Sequence, residues 1–456
     1  MRGHVLNVFL WLADDSNKKI DTTSAITHPM IGCLMQCLRR SKLLLPSMSV
    51  LQVLIRDTRS SAVLLSQLQS HGFIHHLLAM FSTVLACSLP IDVAFAVVYT
   101  ISALATHQAA IELLVNEGLL MMIGDTTQPF FRQLNRFYTE QGERDPWHVI
   151  WCQMLRVVNG VALTLAPSSR PVLEQVFQVV GLHHRRFVSV LSVSSPTVLT
   201  IGRMEEVEQM TALLAQLGHQ TRLWRFALRH RCDDLQERVR FLLQQYALLL
   251  IHQNELKECV RPVAADERKD AERALTQPEQ DGLVSVFTLV NSRFERNAQL
   301  LITAILASCT SLMHSLTPRT LDTLEKPVAL FSPQTDMPTT PLPQPPLSIL
   351  TKLLQLCASG LRYFDAKREL SDHLRDTFFL LAYQCMTTLI DHVAIYDATW
   401  SSAVDEILRA NLRRNLSEEL KSVLEEFKAV PDLAEKREFL DTTNAIMEAS
   451  GLRVLT

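Results

Sequence analysis

LLSQLQSHGFIHHLL, residues 64–78, sets Leu65 and Leu68 before Gly72, and Phe73, Ile74 and Leu77 after it. IELLVNEGLLMMI, residues 111–123, repeats the arrangement, with Ile111 and Leu114 before Gly118 and Leu119, Leu120 and Ile123 behind it. The two glycines stand 46 positions apart (118 minus 72), inside the ~40–47 residue period of HEAT and armadillo units. A helix that ends on a left-handed residue favours glycine there, and apolar residues on either side clamp the turn. Each glycine is therefore expected to close one helix and open the next. Gly181 (Phe177 before, Leu182 after), Gly218 (Leu214 before) and Gly360 (Leu353 and Leu356 before, Leu361 after) are weaker echoes at irregular spacing, so the repeats read as degenerate.

The rest of the chain agrees with helix. Only 13 of 456 residues are Gly, and nothing shows the two-residue alternation of half-buried strands. Leu235, Val239, Leu242, Tyr246 and Leu249 form one amphipathic stripe, and Leu416, Leu420, Val423 and Phe427 form another. Pro90, Pro146, Pro171 and Pro196 fall where a first helical turn loses nothing by lacking an amide hydrogen. A hydrophobic fraction of 48% with 20% charged residues and a mean hydropathy of +0.12 suits helices covered by neighbours on two sides. The fold class expected is all-α, a right-handed superhelical α-solenoid of degenerate HEAT/armadillo-like helix pairs.

Five segments follow from composition. Residues 1–262 read as solenoid repeats, 263–282 as a charged linker or loosely held helix, and 283–316 as further solenoid helices. Residues 317–346 hold eight of the 19 prolines and read as an exposed, disordered insertion, and 347–456 return to helices. Residues 93–111 and 297–318 are free of charge for about the length of a bilayer span. Thr, Ser, Gln, Asn and His dilute both, so buried helices are expected there and no transmembrane segment. At the start, Arg2 and the apolar run 5–13 imitate a signal peptide, but Asp14 and Asp15 stand where a small-residue cleavage site belongs. An uncapped apolar helix is expected instead, as in a repeat cut from a longer array.

A formal net charge of -3 removes the electrostatic case for nucleic acid or anionic membrane as a direct partner. Nine scattered cysteines in apolar surroundings read as reduced, intracellular thiols. Chemistry finds little footing. His148 and Cys152 share a helical face, but Trp147, Ile150, Trp151 and Leu155 surround them, which reads as a core thiol beside a surface imidazole. Cys33, Cys37 and the doublets His75–His76 and His183–His184 lack the paired short spacing of a zinc site. No GxxxxGK[ST], GxGxxG or GxSxG sequence is present. No enzyme, metal or cofactor is expected. Asn415 in its Asn-Leu-Ser sequon reads as a helix cap backed by Glu418.

Binding is the class that remains. In TRLWRFALRHR, residues 221–231, Arg222, Arg225 and Arg229 fall on one helical face with Trp224, Phe226, His230 and Arg231 nearby. Arginine with aromatics is the composition of a binding hot spot; the plainer reading is a solvated face paired with Asp233, Asp234 and Glu237. Leu416, Leu420 and Phe427 form a second candidate partner-binding surface. Thr317, Ser332 and Thr340 each precede proline and are candidate phosphorylation sites, where added charge would loosen a contact. Phosphopeptide mapping of dividing cells tests them, and three unmodified sites would remove the idea.

The blocks LLVNEGLL (113–120), WHVIWCQMLRVVNGVALTL (147–165), HRRFVSVLSV (184–193) and MEEVEQMTALLAQLGHQTRLWRFAL (204–228) resemble, in sequence and order, the C-terminal region of the nucleoporin 188 family. The blocks are packing patterns, so no functional residue carries over. The resemblance implies a structural scaffold in the inner ring of the nuclear pore complex, at the nuclear envelope. It implies binding of other nucleoporins, an amphipathic helix of a linker nucleoporin first, with Phe-Gly segments or transport receptors as further partners. A soluble karyopherin-like transport receptor or a trafficking adaptor of HEAT-repeat type has the same architecture and is the alternative.

Overall fold

The computed structural model describes residues 43–56, 61–125, 137–192, 199–228, 231–252, 258–272, 293–316, 347–366, 372–399 and 434–449, with single residues between 32 and 38, at 256 and between 421 and 428. The fold is all-α: it is 86% helical, and among the described residues there is no strand and only two isolated bridges, Tyr138 with Arg144 and Leu199 with Val260. The chain divides into two compact units, a division that the sequence reading did not anticipate. One comprises Met1–Thr139 and Arg144–Phe187, the other Glu140–Glu143 and Val188–Thr456.

In the first unit the glycine turns form as the sequence requires. Helices α1 (Leu44–Arg56), α2 (Ser61–Ser70) and α3 (Phe73–Leu85) are followed by α4 (Ile91–Leu104), α5 (Gln108–Asn116) and α6 (Leu119–Asp125). Gly72 has φ +65° and Gly118 φ +94°, both left-handed. The Gly72 amide ends α2 by donating to the Gln69 carbonyl at 2.9 Å, and its own carbonyl accepts from His76 in the first turn of α3. Gly118 does the same between Val115 and Met122. The apolar residues quoted around both glycines are buried. Nothing lies within 4 Å of a Cβ added at either position, so the demand for glycine comes from backbone conformation alone.

The period extends beyond the turns. α1 and α4 start 47 residues apart (91 minus 44), α2 and α5 also 47 (108 minus 61), and α3 and α6 46 (119 minus 73). Equivalent helices pack on each other, α1 on α4 and α3 on α6. With α7 (Pro146–Thr164) and α8 (Arg170–Leu182) the same two layers continue, α4 against α7 and α6 against α8. Asp145 starts α7 by accepting from the amides of Trp147 (2.9 Å) and His148, with Pro146 in the first position. Pro90 directly precedes α4, and Pro171 sits in the first turn of α8. Pro196 lies outside the described residues.

The weaker glycine echoes are corrected. Gly181 lies inside α8, and Gly360 inside a later helix, Leu347–Ala366. Gly218 ends a helix without a left-handed backbone, and its reason is closeness: a Cβ there would stand 2.5 Å from Leu312 Cδ1.

After α9 (His184–Leu191), the second unit contains α10 (Ile201–Gly218), α11 (Thr221–Leu228), α12 (Arg231–Ile251), α13 (Ala265–Glu272), α14 (Arg293–Leu316), α15 (Leu347–Ala366), α16 (Asp372–Thr399) and α17 (Ala434–Ala449). α14 is its centre, packed on α10, α12, α13 and α16, while α15 packs on α12 and α16 and α17 on α16. The stripe Leu235, Val239, Leu242, Tyr246 and Leu249 of α12 is buried as expected. Residues 293–315 are long and apolar enough to cross a membrane, and 72% of that window is buried inside the molecule. Its buried hydroxyls return to their own helix, Thr303 to the Gln299 carbonyl at 2.8 Å and Thr310 to that of Leu306 at 2.9 Å. Part of the expected charged linker is the ordered helix α13. The Glu267 carboxylate caps it by accepting from the amides of Val263 (2.9 Å) and Ala264 (3.1 Å). The proline-rich segment with Thr317, Ser332 and Thr340 lies outside the described residues.

Candidate functional site

The arginine-aromatic helix is α11. Its Trp224 and Leu228 lie one turn apart and are buried, with Trp224 at 0% exposure, because α11 packs by that face on α10 and α12. This corrects one sequence expectation: the indole belongs to the unit's own core and is no anchor offered to a partner. The side chains of Arg222 and Arg225, and Arg229 altogether, lie outside the described residues. Asp234, expected opposite those arginines, pairs with Arg238 of its own helix at 3.6 Å.

The second candidate surface is corrected in the same way. Phe427 has 0% exposure, and its ring stands 4.6 Å from Phe439, which in turn lies 6.3 Å from Phe379 of α16. The three rings form a buried aromatic cluster in the second unit. Leu416, Leu420 and the Asn415 cap lie outside the described residues.

The His148–Cys152 pair is also different from its reading, because the imidazole is buried with the thiol. Sγ lies 3.5 Å from His148 Nε2, and the Phe137 ring meets the imidazole edge-on at 5.1 Å. On the same helix, Trp151 carries the Arg186 guanidinium over its ring at 4.4 Å and has the His183 ring 4.9 Å away. His183 Nε2 donates to the Ile123 carbonyl at 3.0 Å, so this buried cluster ties the end of α6 to α7 and to the α8–α9 junction. Its geometry is that of a structural hub. Burial also pushes the thiols of Cys309, Cys357 and Cys385 well above the usual range. Among the described residues no three His, Cys, Asp or Glu side chains come together as a metal site.

One surface was missed. α6 has the sequence LLMMIGD, apolar on every side, and buries Leu119, Leu120 and Ile123 while leaving Met121 55% exposed. Leu182, at the end of α8, is 41% exposed beside it. Between them lies a narrow, largely closed crevice lined by Leu120, Met121, Gly124, Asp125, Gln175, Gln178, Val179 and Leu182. Gly124 sets its width, since a Cβ there would approach Leu182 Cδ1 to 3.2 Å. The signal was present in the sequence: an apolar residue on the side of a helix opposite its core stripe is a surface feature.

No family model matches this chain, and no curated protein matches it in sequence. The chain's chemistry therefore has to be read from its own surfaces. Of those described, the crevice between α6 and α8 is edged by the exposed apolar side chains of Met121 and Leu182.

Proposed function

We propose that this chain is a non-enzymatic scaffold of helical repeats, a right-handed superhelical α-solenoid of HEAT/armadillo type, acting as a structural component of the inner ring of the nuclear pore complex. Its work is to hold other nucleoporins by burying their amphipathic helices in grooves between stacked helices. The observation that carries the architecture is the stacking of α1 on α4 and α3 on α6 at the same 46–47 residue offset that separates the glycine turns. The pore assignment is supported by the resemblance of the blocks between residues 113 and 228, in sequence and order, to the nucleoporin 188 family.

The test is residence. A fluorescent fusion of the chain is expected at the nuclear rim, with recovery after bleaching that is slow on the scale of minutes. Recovery within seconds would replace the scaffold with a soluble transport receptor, and absence from the rim would leave a trafficking adaptor.

A further inference from the structure

We draw no further inference here: the strongest candidate, the small apolar pocket of about 120 Å³ that Leu256, Val260, Pro262, Phe294 and Ala298 line beside α13 and the start of α14 in the second unit, carries none, because nothing in the structure shows what fills it.

Discussion

Single residues decide where these helices stop. Gly72 and Gly118 are needed for their left-handed backbone and for nothing else, since a Cβ at either has open space. Gly72→Ala and Gly118→Ala are each expected to destabilise the first unit by about 1–2 kcal/mol, the cost of a left-handed L-residue. Cys87 is the opposite experiment, a non-glycine at φ +53° just past the end of α3, where the Ser88 amide reaches the Thr83 carbonyl at 3.1 Å. Cys87→Gly is expected to stabilise by about 0.5–1 kcal/mol. Urea unfolding of the three variants checks both signs, and a destabilised Cys87→Gly would mean that the thiol does more than fill a turn. The same residues show what a sequence pattern carries. A glycine flanked by apolar residues identified the two true turns, yet Gly218, Gly181 and Gly360 bore a similar signature without the backbone. Flanking apolar residues record burial, which every core helix has, and the positive φ leaves no mark beyond glycine itself.

At the scale of the element, helices were legible and their outward faces were not. Trp224 was read as an anchor because arginine and aromatic residues occurred together, but composition is the same whichever way a helix turns. The pairing of Trp224 with Leu228 one turn on carried the inward direction, and it agrees with the buried stripe of α12 against which α11 packs. Phe427 differs for a related reason: its partner Phe439 comes from another helix, and Phe379, which meets Phe439 in turn, lies far back in the sequence on α16. The core helices of the second unit also make a pH prediction. Tyr246 on α12, Cys309 on α14, Cys357 on α15 and Cys385 on α16 are wholly buried, and burial raises all four above their ordinary values, 10.0 for the phenol and 9.0 for the thiols. Raised folded-state values mean that the unfolded chain gives up these protons first. Stability is therefore full below about pH 9 and is lost as pH rises beyond it, by about 1.4 kcal/mol per thiol for each further pH unit. Urea midpoints measured from pH 7 to 10 are expected to stay level to about pH 8.5 and then fall steeply. Level midpoints through pH 10 would place those groups in water.

The whole molecule poses the question of how far its parts depend on one another. In a globule with one centre, removal of 47 residues destroys the core; in a stack, each helix layer touches only its neighbours, and stability is approximately a sum of local terms. Residues 61–107 span one complete period, since α2 starts at Ser61 and α5 at Gln108. Their deletion joins α1 to α5 through the four residues that already precede α2, and it leaves α1 in the place of α4 against α7. Apolar residues occupy the facing positions in both helices: Met48, Leu51 and Ile55 are buried in α1, as Ala94, Val97, Val98 and Ile101 are in α4. The packing is imperfect because the buried residues of α1 and α4 differ in size, and a loss of several kcal/mol is expected from mismatched volumes. The shortened chain is nevertheless expected to keep a helical circular-dichroism spectrum and a cooperative melt at a lower temperature. Deleting residues 61–83 removes half a period, separates Gly118 and its clamp from any matching layer, and is expected to abolish the cooperative transition of the first unit. Equal damage from the two deletions would mean that the period at Gly72 and Gly118 is a local resemblance of turns, with no repeating layer behind it.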